Sequence, residues 1–287
     1  MLYFSVQISD FKVLVLGWLF FAVSVQGLMA QSVWTNIKIA EANGTSLGPS
    51  EPSIAIDPLD PSRMVAGAVL DFVSVSADSG YTWKTRRLRS RYGVFGDPCI
   101  ITDQQGNFYY FHLSDPSGKG WQDERLLDRI VSQRSADGGK TWTKGSYTGM
   151  RHPKDQDKEW AVADGVSGNI YLTWTEFDNY GSEQPEDKSR ILFSFSDDKA
   201  AAWSEPVAIN EIPGDCLDDD GTVEGAVPAT GPNGEIYVAW SVNEKIYFDR
   251  STDRGKTWLA EDIMAAEQPG GWVFEIPGMG RANGLPV

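Results

Sequence analysis

One eight-residue pattern, Ser-x-Asp-x-Gly-x-Thr-Trp, recurs along this chain and limits what it can fold into. It reads Ser76 to Trp83, Ser135 to Trp142 and Ser251 to Trp258; a fourth copy, Ser196 to Trp203, keeps Ser196, Asp198 and Trp203 but lacks the Gly and Thr. The leading serines stand 59, 61 and 55 residues apart. That period is long for a helical or leucine-rich repeat and fits a four-stranded propeller blade. Each copy follows an alternating segment (Phe72 to Val75, Ile130 to Gln133, Ile191 to Ser194, Ile246 to Asp249) and precedes a short extended one, so it is a hairpin turn. Ser and Asp side chains can bond the turn's own N–H groups, Gly accepts a positive φ, and Trp supplies a large apolar face. The pattern by itself therefore reads as structural.

A second turn repeats upstream of it: Asp103 to Tyr109, Asp164 to Tyr171 and Gly231 to Tyr237. Short strands precede these turns at Pro52 to Asp57, Pro98 to Asp103, Trp160 to Asp164 and Gly225 to Thr230. One blade is then strand A, turn, strand B, loop, strand C, repeated turn, strand D. Four blades are expected over 48–90, 94–150, 157–210 and 222–265, with the start of a fifth over 273–287. Ser32 to Ile39 resembles a lone strand D, of the kind that completes a last blade, and Arg281 to Val287 a strand A that stops at once. A truncated ring is the expectation.

The 287 residues suffice for one large all-β domain, and a 41% hydrophobic content supports a core. Residues 1–30 read as a secretory signal. Lys12 precedes the apolar run Val13 to Val23, too short for a comfortable membrane span, and small residues follow at Gly27 and Ala30. A secreted or periplasmic, monomeric protein with no membrane insertion after cleavage is expected. A net charge of −15 argues against nucleic acid, which needs a basic footprint. Cys99 and Cys216 do not make a disulfide framework, and with a blade between them both are expected free. His112, inside an apolar strand, reads as a core histidine, and Asn43-Gly44-Thr45 as a glycosylation sequon that matters only in a eukaryotic secretory route. No cofactor is expected. Calcium is the one ion the sequence suggests, at Asp215 to Gly221, but Cys216 breaks the alternating acid spacing and favours a solvated acidic loop.

The repeated turn resembles the Asp box of the sialidase-like (neuraminidase) superfamily from about residue 34 onward. The resemblance implies an all-β, six-bladed sialidase-type propeller, incomplete here, and a glycan or glycoconjugate substrate. It also implies a site on the face opposite the boxes, where each strand A begins. Those positions carry Glu51, Asp97, Asp157 with Glu159, Glu224 and Arg281; the loops Asp115 to Arg129 and Phe177 to Arg190 would rim the same mouth. A sialidase of this family needs three arginines on the substrate carboxylate, a Tyr–Glu nucleophile pair and an acid/base Asp. The Phe/Tyr-Arg-Ile-Pro motif that brings the first arginine is absent, Glu51-Pro52-Ser53-Ile54 standing in its place; Arg89, Arg91 and Arg151 are the candidate substitutes. The expected catalytic residues are Asp97, Asp157, Glu159 and Glu224, with Glu51, Arg91 and Arg281 contacting substrate. Two functions follow: a secreted glycoside hydrolase of the exo-α-sialidase type, or a non-catalytic propeller binding a glycan, metal or protein partner.

Overall fold

The computed structural model describes residues 35–42, 48–271, 273–278 and 280–283. The signal segment 1–30, the sequon at Asn43 and residues 284–287 lie outside them. The chain divides into 1–37 and 38–287. Of the first part only residues 35–37 are described, and they form no strand.

Four antiparallel four-stranded sheets follow in chain order, each a meander. Blade one holds β1 (Ser53–Ile56), β2 (Met64–Ala68), β3 (Phe72–Ser76) and β4 (Lys84–Arg87); blade two holds β5 (Cys99–Thr102), β6 (Phe108–Leu113), β7 (Ile130–Ser135) and β8 (Ser146–Thr148). Blade three holds β9 (Asp155–Ala163), β10 (Ile170–Phe177), β11 (Ser189–Ser196) and β12 (Val207–Ala208); blade four holds β13 (Glu224–Thr230), β14 (Ile236–Val242), β15 (Lys245–Ser251) and β16 (Ile263–Glu267). The inner strands β1, β5, β9 and β13 lie side by side in that order, and the sheets do not close a ring.

Three departures from the sequence reading have local causes. The inner strand of blade three begins at Asp155 rather than Trp160, because its first residues are polar and a bulge opposite Thr173 and Thr175 breaks their alternation. Arg281 does not open a fifth inner strand: β17 (Val273–Ile276) and β18 (Gly280–Asn283) pair as a hairpin with Arg281 opposite Glu275, since Pro277-Gly278 turns the chain back. The described part of the supposed lone strand, from residue 35, has no strand pairing, but its last residue touches the outer strand of blade one: the Ile39 carbonyl accepts a bond of 2.7 Å from the Thr85 hydroxyl on β4.

The repeated turns are superimposable in their bonding. In each, the Ser hydroxyl donates to the Asp at 2.8 Å and accepts the N–H four residues on. The Asp accepts the Thr hydroxyl and N–H, or in the degenerate copy the Ala201 and Ala202 N–H groups. These bonds hold the carboxyls of Asp78, Asp137, Asp198 and Asp253 below the usual range. Ser79 N–H donates to the Ser62 carbonyl at 3.0 Å, which puts the A–B turn and the repeated turn of blade one on the same face.

Packing between blades explains the turn's composition. Apolar clusters fill three seams: Val65 and Val73 against Phe108 and Tyr110; Phe111 and Leu113 against Leu172 and Trp174; Tyr171 and Phe193 against Val238 and Trp240. The four Trp residues of the turns are half-buried, and Trp142, Trp203 and Trp258 pack against the seam clusters. Trp258 meets Phe193 edge-on at 5.0 Å, and Trp203 meets Phe111 at 5.9 Å while its indole N–H reaches Ser146 of blade two. The turn glycines sit still tighter. A Cβ on Gly139 would lie 2.7 Å from Val65 and Val75, and one on Gly255 only 2.3 Å from Phe193, each in the preceding blade. Gly80, in blade one, meets nothing nearer than Met64 at 3.4 Å.

Cys99 and Cys216 are both free and buried, and burial pushes the Cys99 thiol up to about 12. His112 is fully buried, its Nδ1–H donating to the Leu113 carbonyl at 2.7 Å; burial pulls its pKa down to about 4.

The seams generate a stability test. All three glycines have φ near +80°, so an alanine at any of them carries the left-handed penalty of about 1–2 kcal/mol. Gly139→Ala and Gly255→Ala should lose a further ~1–3 kcal/mol through overpacking, and Gly80→Ala should not. Urea melts of the three variants check this; equal losses at all three would show that seam packing is not what selects glycine.

Candidate functional site

The inner strands share one backbone feature at their mouth ends. Glu51, Asp97, Lys158 and Gly225 each take a positive φ, between 47° and 67°. For the three that are not glycine this conformation is costly, and such strain concentrates at functional sites. In β9 and β13 the kink coincides with a register shift, so the bulge re-aims the flanking side chains. The acid is the kinked residue itself in blades one and two, flanks it as Asp157 and Glu159 in blade three, and precedes it as Glu224 in blade four.

These kinks bring together most of the expected site. Asp97 interacts with both Glu51 and Asp157, and burial first, then the Glu51 charge, raises its carboxyl against the pull of Lys158. Asp157 is pushed up to about 7 by burial and by the charges of Asp97 and Asp218, again opposed by Lys158. Glu159 is buried with both carboxyl oxygens lacking a hydrogen-bond partner, and Glu224 is buried with Oε1 in the same state. Both are raised well above the ordinary range, chiefly by burial.

Four members are not singled out as site residues by the sequence: Lys158, Asp218, Tyr180 and Trp121. Lys158 is the ammonium at the centre, its Nζ 3.6 Å from Asp97 and 3.5 Å from Asp157. Neighbouring carboxylates hold its pKa well above the lysine value. Asp218 leaves the acidic loop to bond Glu224 and the Tyr180 hydroxyl. Two other acids of that loop close it on itself, Asp215 accepting from Thr222 and Asp219 from the Gly221 N–H, while Asp220 accepts from the Val273 N–H of β17. Oxygens of Asp157, Asp218 and Glu224 lie within 4.8 Å of one another, a donor set able to hold a hard cation. Tyr180 comes from the loop after β10, is fixed by its N–H to Asp155 and stacks at 5.3 Å on Trp121 of the blade-two loop. Trp121 is 65% exposed, and its contact with Tyr180, which itself interacts with Asp157 and Asp218, brings the two long loops together at this mouth.

The arginines lie elsewhere. Arg91 stacks on Tyr92, donates to its hydroxyl and lines a groove of about 860 Å³ between the outer strands of blades one and two, with Arg86, Arg89 and Lys144. The buried ring of Tyr92 holds its guanidinium there, away from the carboxylates. Arg151 and Arg190 serve the pair Glu176 and Asp178, the latter gripped by Arg190 at 2.7 and 2.8 Å. The Arg281 side chain is outside the described residues. Among the described residues, Lys158 is the cation paired with Asp97 and Asp157, and no arginine joins it.

No protein-family model and no curated protein sequence matches the chain. Solved structures do. A protein of unknown function from Dyadobacter fermentans DSM 18053 is similar over 79% of this chain and 72% of its own, with a TM-score of 0.55 and 18% identity. The NanB sialidase from Streptococcus pneumoniae is similar over 81% of this chain and 54% of its own (TM-score 0.53, 12% identity). The leech intramolecular trans-sialidase is similar over 82% and 54% (TM-score 0.52, 13% identity). The chain thus spans about half the length of the two sialidase structures. At these identities the likeness is one of architecture. The chain has the sialidase-like propeller fold, as an arc of four blades and a hairpin.

Proposed function

We propose that the chain is a secreted glycoside hydrolase of sialidase-like fold that acts on exposed glycans through its axial carboxylates. The observation that carries this reading is the convergence of Asp97, Asp157, Glu159 and Glu224 around Lys158, with Tyr180 joining Asp157 and Asp218 to the exposed ring of Trp121. Two carboxyls in contact cannot both ionise without cost, so Asp97 and Asp157 titrate as a pair sharing a proton. A proton retained near neutral pH is what a leaving glycosidic oxygen requires. Asp97 is the more exposed of the two and delivers it; Asp157 and Lys158 hold the pair in place. Trp121 offers a flat apolar face to a sugar ring.

Charge decides the class of sugar. Glu51, Asp97, Asp157, Glu159, Asp218 and Glu224 face one ammonium, which disfavours the anionic sialic acid and favours a neutral or cationic glycosyl unit. The three-arginine clamp implied by the resemblance has no counterpart at this mouth among the described residues. A second reading, a propeller that binds a glycan without cleaving it, is favoured by the depth of Asp157 and Glu224, which are 4% and 3% exposed.

Fluorogenic neutral glycosides and a fluorogenic sialoside, tried in parallel on the whole chain, separate these readings. Neutral glycosides should turn over faster, Asp97→Asn should lower kcat by ~10²–10⁴-fold with circular dichroism unchanged, and Trp121→Ala should raise KM about tenfold. Turnover of the sialoside alone would overturn the preference for a neutral sugar. Absence of all turnover, with glycan binding that Trp121→Ala weakens, would establish the second reading.

The shared proton also sets a pH dependence of stability. Asp157 is raised in the folded state, so its contribution is complete below pH ~4 and is lost as pH rises through about 7. Asp97, Glu159 and Glu224 are raised too and add to the same slope; Glu51, Asp155, Lys158, Asp218 and Tyr180 are the other titratable groups facing the pair. In the presence of a chelator the melting temperature should fall between pH 5 and pH 8, each released proton weighing up to ~1.4 kcal/mol per pH unit. Asp157→Asn should flatten that fall. An unchanged slope in this variant would mean the carboxyl does not hold its proton.

A further inference from the structure

We propose that Asp157, Asp218 and Glu224 form a binding site for one divalent cation of the calcium class at the mouth of the inner strands. The geometry comes first. Oxygens of the three residues lie within 4.8 Å of one another, and two oxygens bound to one ion at about 2.4 Å can be at most ~4.8 Å apart. Their elements are independent: Asp157 stands on β9, Glu224 opens β13, and Asp218 sits in the preceding loop at φ 57°. The strained Asp218 and the kinks beside Asp157 and Glu224 therefore converge on one point from three directions.

An independent observation points to a ligand there. Glu224 is 3% exposed, its Oε1 has no hydrogen-bond partner, and its carboxyl contacts Asp218. A buried carboxyl oxygen without a donor is costly, and two carboxyls in contact need a proton or a cation between them. Lys158 supplies one positive charge, its Nζ 3.6 and 3.5 Å from Asp97 and Asp157, and the same ammonium also acts on Glu224 and Asp218, one cation among four acids. A divalent ion would give the Glu224 Oε1 the partner it lacks. Hard cations take six to eight oxygens, so three carboxylates leave positions for water or for vicinal hydroxyls of a sugar.

The inference deepens the reading of this mouth as a glycan site without depending on hydrolysis. An ion held by these carboxylates would offer a sugar two hydroxyl contacts. This selects a neutral glycan with adjacent hydroxyls.

Calorimetric titration of the whole chain with Ca²⁺ alone is the test, with terbium luminescence as a second readout because Tyr180 adjoins the site. One ion per chain should bind with Kd of about 10⁻⁵–10⁻³ M. Glu224→Gln and Asp218→Asn should each weaken binding by at least ~10-fold, and Asp219→Asn, in the same loop, should leave it unchanged. Glu224→Gln replaces a buried ionisable group with a neutral one of the same shape, so its melting temperature without calcium should hold or rise, which separates lost ligation from lost folding. No binding by the native chain at ~10 mM Ca²⁺ overturns the site, as does binding that survives both substitutions or disappears equally in Asp219→Asn. Calcium binding without turnover of any glycoside would leave the site standing and remove the hydrolase.

Discussion

The close approach of each repeated turn to the blade before it is the constraint on which the rest of the structure rests. Gly139 and Gly255 have room for hydrogen alone, because Val65, Val75 and Phe193 of the preceding blade fill the space a Cβ would take. The degenerate turn shows the same constraint met differently. Ala200 stands at the glycine position with φ 58° and its methyl is buried in the seam with Trp203. Blade spacing is set by these contacts and by bonds such as Thr173 to the Ala226 carbonyl at 2.7 Å. Blade spacing in turn determines how near the inner strands bring their acids.

The mouth is the opposite case, a place where the structure concentrates unfavourable terms. Four inner strands begin with left-handed backbone, and three of those residues have side chains that disfavour it. The carboxyls so gathered are buried, and burial raises their pKa values. Neither feature helps a propeller stand. The turns on the far face do the reverse, keeping their aspartates ionised and bonded to backbone N–H groups. One chain thus uses the same residue type as a fastener on one face and as a strained, proton-retaining group on the other. The difference comes from whether N–H donors or other carboxylates surround it.

The separation of charge extends beyond the mouth. Arg86, Arg89, Arg91 and Lys144 line the outer groove, while Arg151 and Arg190 are committed to Glu176 and Asp178. These cations are therefore held off the axis by aromatic stacking and by local acids, which leaves Lys158 as the ammonium paired with Asp97 and Asp157 there. This arrangement keeps the axial field negative, consistent with a neutral sugar, a cation or both at the same place.

The period of the turns, the meander within each blade and the gathering of Asp97, Asp157, Glu159 and Glu224 could be read from residues alone, because hairpin alternation puts every inner-strand start on one face. That reading stopped where contacts join residues far apart in sequence. Asp218 looks like one acid among several in a solvated loop until its loop meets Glu224 and Tyr180. Lys158 looks like a polar interruption before a strand, and only the bulge in β9 makes it the central ammonium. Trp121 carries no pattern at all; its place follows from stacking on Tyr180 of another blade. Arg91 lies close in sequence to the kinked Asp97, yet the ring of Tyr92 holds it in the outer groove. The sequence by itself determined the repeating unit, since turn chemistry and strand alternation act within a few residues. Which charges meet at the axis was decided by tertiary structure, because Coulomb interaction and burial depend on distance in space and leave no local pattern along the chain.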